Sequence, residues 1–251
     1  MSGHSHWATI KHKKAAVDAK RGKHWSKLAK AIIVAAKHGG GDPDMNLRLR
    51  YAIDDAKAAG VPKDNIQRAI KRGTGEAGGA VLEEVTYEGY GSGGVAVLCE
   101  VLTDNRNRTA SEIRKLFELS NGKLGSTGCV AWMFESKGLF LVPAGGIEEE
   151  RLLEIALEAG ADDVQAAGER FEVTCDPAKY REVLDLLGKA GVQIETSQIT
   201  RIAKNTVEVT DPEEARKILK FMERLDDHDD VQNVSANFNI PDAVIAQVGE
   251  E

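Results

Sequence analysis

GLFLVPAGGIEEERLLEIALEAGADDVQAAGERFEVTCDPAKYREVLDLLGKAGVQIETSQITRI, residues 138–202, is the stretch whose periodicities decide the fold. It opens with the short apolar run 138–142, which reads as a strand. From Ile147 to Ala159 the apolar residues fall at helical spacing. A strand is predicted near Val164 and another over 170–175. Asp176-Pro177 then places a capping carboxylate before proline, the expected start of a helix over 177–189. A last strand is predicted over 192–202. The order is βαββαβ, a complete ferredoxin-like unit.

The flanks read as the two halves of a second such unit. On the N-terminal side, 95–102 is predicted as a strand. Thr109-Ala-Ser-Glu112 matches a capping box opening a helix through about Leu119, and 130–134 reads as a strand. On the C-terminal side come a strand over 206–210, a helix opened by Asp211-Pro212-Glu213-Glu214, and a strand over 231–240. Joined, these halves form one ferredoxin-like sheet with the middle unit inserted at its central hairpin. The expectation is an α+β multidomain chain: a small helical domain over 1–79, a discontinuous ferredoxin-like domain over 80–135 plus 204–251, and an inserted one over 136–203. The two Asp-Pro helix starts, at 176–177 and 211–212, suit a duplication.

Up to residue 73 helix signals dominate. Trp25, Leu28, Ala29, Ile32, Ile33 and Ala36 form one apolar stripe of a helix over 24–37. A second helix is predicted to start at Asp42-Pro43 and stop before Gly60. A third is predicted from Pro62, with Ile66 and Ile70 on one face and Lys71 and Arg72 in its last turn. Residues 73–79, rich in glycine, read as a linker, and Gly89 to Gly94 as a flexible hairpin connection.

Composition narrows the function. The chain has 251 residues and a formal charge of −7, but residues 1–79 hold 16 Lys+Arg against 7 Asp+Glu, a net +9, and the remainder is net −16. A basic module on an acidic body suggests a polyanion partner, with a solvated basic surface as the alternative. No apolar run approaches a membrane span, so no membrane partner is expected. Three cysteines, Cys99, Cys129 and Cys175, with no CxxC pair, suit a cytoplasmic setting without disulfides or a zinc site. No G-x-S-x-G, Walker A or H-E-x-x-H pattern occurs, so the expectation is a non-enzymatic protein without a cofactor.

The residues able to hold phosphate are therefore cations. The segment 7–23 concentrates Lys11, Lys13, Lys14, Lys20, Arg21 and Lys23 with His12 and the single acid Asp18. Such a segment displaces condensed counterions, and Trp7 either lays its ring on a base or anchors the tail to a core. Lys27 and Lys30 lie off the apolar stripe of the first helix. Arg68, Lys71 and Arg72 belong to the third. Arg106 and Arg108 precede a helix N-terminus, where backbone N–H groups and guanidinium groups together can hold a phosphate; the alternative is a self-satisfied turn. His4, His6 and His12 have no nearby Cys or Glu to complete a ligand set, so no metal site is assigned. The run 226–230, Asp-Asp-His-Asp-Asp, reads as a solvated acidic turn.

Several motifs are more specific than these patterns. GHSHWATIKHKKAAVDAKRGK (3–23), PKDNIQRAIKRGTG (62–75), YEGYG (87–91), TDNRNRT (103–109), VAWMF (130–134) and DHDDVQNV (227–234) together resemble the YebC/PmpR family, which includes a mitochondrial translational activator of cytochrome oxidase. Cys129 departs from the serine expected there. The resemblance implies one helical and two α/β domains and a role in gene-expression control. For some relatives that control is transcriptional, through duplex DNA; for others it is translational, through the ribosome and ribosomal or transfer RNA. The match begins at Gly3, so the bacterial cytoplasmic form is expected. The oligomeric state stays open.

Overall fold

The structure, a computed structural model, describes residues 18–78 and 81–249. Three helices come first: α1 (Asp18–Gly39), α2 (Leu47–Ala58) and α3 (Lys63–Gly73). The apolar stripe read from sequence is their seam. Ile32, Ile33 and Ala36 of α1 meet Leu49, Ile53 and Ala56 of α2 and Ile66 and Ala69 of α3. Leu82 and Leu102 join the same cluster, so α1 is also packed against the body of the protein. Each fully buried side chain of this size contributes roughly 1.5–3 kcal/mol of transfer free energy.

Two local expectations give way here. Asp42-Pro43 does not start α2. The Asp42 carboxylate instead accepts the N–H of Asp44 at 2.9 Å and closes a turn. The true cap is Asn46, whose Oδ1 accepts the Leu49 N–H at 3.1 Å while its amide donates to the Ala35 and Gly40 carbonyls, both at 2.8 Å. Gly73, expected in the linker, is the last residue of α3. A Cβ there would stand 2.4 Å from the Ile33 carbonyl oxygen, so glycine permits the close crossing of α3 over α1.

The body holds two four-stranded antiparallel sheets. The strands are β1 (Glu83–Tyr90), β2 (Ala96–Thr103), β3 (Lys123–Leu124), β4 (Phe134–Pro143), β5 (Asp163–Ala167), β6 (Arg170–Cys175), β7 (Thr196–Ala203), β8 (Val207–Glu208), β9 (Val231–Ala236) and β10 (Phe238–Asn239). The helices are α4 (Arg106–Leu119), α5 (Glu149–Glu158), α6 (Tyr180–Lys189), α7 (Pro212–Asp226) and α8 (Asp242–Gly249). The second sheet, in order β5-β6-β4-β7 with α5 and α6 on one face, is the ferredoxin-like unit read from 138–202.

The first sheet has the same spatial arrangement with a different chain order. It runs β3-β1-β2-β9, with α4 and α7 covering one face through Ile113, Phe117, Ile218, Phe221, Met222 and Leu225. The position expected for 206–210 is filled by β1, which the sequence reading left unassigned. Residues 207–208 pair in parallel with β10 in a separate two-stranded ladder. Glycines at 89 and 91 and the charged Glu83, Glu84 and Glu88 mask β1 from any apolar pattern. The strand expected over 130–134 is mostly a 3₁₀ turn, Ala131–Met133, leading into β4. The last predicted strand divides into β9 and β10, and α8 follows it.

The capping box at Thr109 also fails. Asn105 caps α4, accepting the Arg108 N–H at 3.1 Å, and Thr109 lies inside the helix, fully buried. The uncovered faces of the two sheets meet through Ala96, Leu98, Val130 and Phe134. Asn233 donates to Thr200 Oγ1 at 3.0 Å across that seam.

Replacing Asn46 by alanine removes the cap and strands two carbonyls. Chemical denaturation should show a loss of about 2 kcal/mol with an unchanged m-value.

Candidate nucleic-acid interface

Lys23, Lys27 and Lys30 stand at i, i+4 and i+7, on one face of α1. That face is turned towards the end of α7. Helix C-termini present unpaired carbonyls and partial negative charge, and here the last helical residue, Asp226, and the following turn supply four aspartates. Lys23 donates to the Asp227 carbonyl at 3.2 Å and lies 3.7 Å from the Asp229 carboxylate. Lys27 donates to the Asp226 carbonyl and pairs with its carboxylate at 3.6 Å. Lys30 reaches the Asp229 carbonyl at 3.0 Å and Asp230 Oδ1 at 2.6 Å. The acidic turn is thus not simply solvated; it is the docking site of the basic helix.

Asp230 is the hub. Its Oδ2 accepts from Arg108 at 2.7 Å, from the Thr109 hydroxyl at 2.7 Å and from the Thr103 hydroxyl at 3.2 Å. Burial alone would raise its pKa. The hydrogen bonds from Lys30, Arg108 and Thr109 outweigh that and hold the carboxyl well below the usual carboxylate range. Conversely, the Asp230 hydrogen bond raises the pKa of Arg108. His228 Nδ1 accepts the Asp230 N–H at 3.1 Å, so its Nε2 carries the proton facing Glu112 at 3.0 Å. Glu112, His228 and Asp230 converge as a metal-ligand set would, with ligand atoms within 4.8 Å of one another. Asp230 already serves two cations and two hydroxyls, and His228 Nδ1 is committed. The trio therefore has the chemistry of a hydrogen-bond hub.

An open cleft of about 830 Å³ lies beside this junction, and its lining mixes cations such as Lys23, Arg72, Arg108 and Lys115 with the acids Asp104, Glu112 and those of the 226–230 turn. Arg68, Lys71 and Arg72 occupy i, i+3 and i+4 of α3, all exposed and without a carboxylate partner among the described residues. Arg106, the first residue of α4, is also exposed, and its carbonyl accepts the Tyr87 hydroxyl at 3.2 Å.

The sequence-predicted cations thus separate into groups. Lys23, Lys27, Lys30 and Arg108 are gathered on the acidic turn. Arg68, Lys71, Arg72 and Arg106 face solvent. Lys20 and Arg21 belong to the first turn of α1, and their side chains lie outside the described residues, as do Trp7, Lys11, His12, Lys13 and Lys14. Sequence reasoning missed Lys115 and the pairing of α1 with 226–230. The opposite charges were a signal, but a partner about 200 residues away leaves no local spacing to read.

A second ordered group lies at the far edge of the first sheet. Glu88 is buried in β1, and its carboxylate accepts the N–H groups of Gly128, Val130 and Ala131 at 2.7, 2.9 and 2.8 Å. Burial opposes its charge, but the three backbone donors lower its pKa.

Comparison with known proteins matches this chain to two family models, the TACO1/YebC protein N-terminal domain over residues 5–76 and the TACO1/YebC second and third domain over residues 82–238. A relative from Dictyoglomus turgidum is 54% identical over 246 residues, 98% of each chain. One from Geobacter sulfurreducens is 57% identical over 240 residues, 96% of each chain. Both bear the name probable transcriptional regulatory protein. The crystal structure of a conserved hypothetical protein from Aquifex aeolicus is similar with a TM-score of 0.85 and 52% identity, over 94% of this chain and 98% of that one.

The depressed pKa of Asp230 fixes the sign of a pH effect. Its stabilisation is fully present above the unfolded carboxylate value near 4 and is lost as pH falls towards the folded value. Asp230→Asn should therefore cost about 2 kcal/mol at neutral pH and flatten the acid limb of stability, as urea melts at pH near 7 and near 3 would read.

Proposed function

Because the chain belongs to the TACO1/YebC family, we propose that it is a non-enzymatic, nucleic-acid-binding regulator of gene expression that grips duplex DNA as a transcriptional regulator. The names of its relatives support a regulatory role. The observation that carries the binding is the exposed face of α3 formed by Arg68, Lys71 and Arg72, which has no carboxylate partner among the described residues. Guanidinium and ammonium groups at i, i+3 and i+4 track neighbouring phosphates, and each contact releases counterions. Arg106 and the basic segment carrying Trp7, Lys11, His12, Lys13, Lys14, Lys20 and Arg21 extend the grip.

In this reading the chain divides its labour. Residues 1–79 hold the nucleic acid, and the discontinuous unit of 80–135 plus 204–251, with 136–203 inserted, presents that grip to transcription machinery in the cytoplasm. Lys23, Lys27, Lys30 and Arg108 act differently from the free cations. They tie the basic helix to the acidic body; a phosphate chain reaches Lys27 and Lys30 by displacing the carboxylates of the 226–230 turn, whereas Lys23 and Arg108 stay partly open to the cleft. No cofactor takes part.

A second reading, a ribosome- or RNA-associated translation factor using the same basic region, is favoured by one feature. Trp132 and Tyr90 expose aromatic rings, which unstacked RNA bases can use and a stacked duplex cannot.

The test is duplex binding across a salt series. Arg68→Ala, Lys71→Ala and Arg72→Ala combined should weaken binding similarly for all sequences and make the log–log salt slope shallower by about 2–3, near 0.9 per lost phosphate contact. An unchanged slope would remove α3 from the interface. Failure of the native protein to prefer any promoter fragment over random duplex would refute the transcriptional reading.

A further inference from the structure

Among the described residues Trp132 is the most exposed aromatic, at 66%, and Tyr90 is 41% exposed. They come from different elements. Tyr90 ends β1, and Trp132 sits in the 3₁₀ turn Ala131–Met133. The backbone carbonyl of Cys129 joins them, accepting the indole N–H at 3.2 Å and the phenol O–H at 3.3 Å. Both polar edges are thereby satisfied within the protein, and much of each ring is left to solvent. A large ring costs solvation free energy when exposed, so a pair held open in this way suits a partner that covers ring faces.

The surroundings make the pair rigid. The Glu88 carboxylate fastens the 128–131 backbone through three N–H bonds, and Gly125 donates to the Glu88 carbonyl at 2.7 Å. A Cβ on Gly125 would stand 2.5 Å from the Cys129 sulfur, so the loop is packed closely. Backbone pairing places two lysines beside the pair. Lys123 lies opposite Tyr90 in the β1–β3 ladder, which puts both side chains on one face of the sheet. Lys204 follows β7, and its N–H donates to the Met133 carbonyl at 2.8 Å. Both lysines are exposed and without an acidic partner among the described residues.

We propose that Trp132 and Tyr90 form a stacking platform for an unpaired base of single-stranded RNA, with Lys123 and Lys204 neutralising the phosphates on either side. Aromatic faces with flanking cations are the chemistry by which proteins hold single strands with little sequence preference. A protein partner also covers apolar rings and offers carboxylates to lysines, but open ring faces with a cation placed on either side match a base with its two flanking phosphates. RNA is the source because its loops and ends present splayed bases. The inference rests on the nucleic-acid reading but places the contact on the α/β body, away from the basic helices.

Trp132→Ala, Trp132→Phe and Tyr90→Ala, each in the full chain, are titrated against a short unstructured oligoribonucleotide, its deoxy counterpart and a duplex DNA. Thermal melting confirms that each variant is folded. Trp132→Ala should weaken oligoribonucleotide binding by about 5- to 100-fold, Tyr90→Ala by less, and Trp132→Phe should restore most of the affinity. Duplex affinity should stay unchanged in all three. Indole quenching by the oligoribonucleotide should be smaller in Trp132→Phe than in the native chain, with Trp7 and Trp25 carrying what remains, and gives an independent reading. Native oligoribonucleotide affinity in Trp132→Ala, or tighter binding of the deoxy strand, overturns the platform while leaving duplex binding through α3 standing. Absence of binding to every nucleic acid at low salt overturns both readings, and capture of a protein at Trp132 with no effect on RNA affinity overturns the platform alone.

Discussion

The carboxylate of Asp230 is the point on which the molecule is assembled. It lies just before β9, yet it takes a cation from α1, a cation and a hydroxyl from α4 and a hydroxyl from β2. A buried carboxylate is costly unless charged donors surround it, and here Lys30 and Arg108 do so from two separate elements. The helical region, the first sheet and its covering helix are thereby fixed to one another through a single group. The Leu82 and Leu102 side chains supply the apolar part of the same junction.

This arrangement changes the meaning of the charge asymmetry. A basic first third and an acidic remainder look like a binding module carried by a neutralising body. Much of the opposition is instead internal. The lysine face of α1 and the end of α7 meet as a cation stripe on a helix C-terminus, which lowers the repulsion within each part. Among the described residues, the cations left without an acidic partner include those of α3, Arg106, Lys115, Lys123 and Lys204. Of these, Arg72 and Lys115 share the open cleft beside the junction with Asp227, Asp229 and Asp230.

Glu88 plays at the far edge of the first sheet the part that Asp230 plays at the junction. One carboxylate satisfies three backbone N–H groups that a turn of such tight geometry would otherwise leave unpaired. The turn then carries Cys129, whose carbonyl aligns two rings. In both places one carboxylate organises a surface by accepting hydrogen bonds from groups far from it in the sequence.

The sequence by itself determined the helical start, the α+β character and the inserted ferredoxin-like sheet, because each depends on apolar periodicity within about fifteen residues. Ile32, Ile33 and Ala36 are buried where their spacing put them. It also determined the candidate cations, since charge is read directly, and the family, since long colinear motifs survive translation into any context. Only the tertiary structure decided which strand completes the first sheet: β1 carries too many glycines and glutamates to announce itself, and its place depends on pairing with both β2 and β3. Only the tertiary structure decided that Lys23, Lys27 and Lys30 face aspartates about 200 residues away, and that Trp132 and Tyr90 share one carbonyl. Those are long-range contacts between residues with no common period, so no local pattern encodes them, and folding alone brings them together.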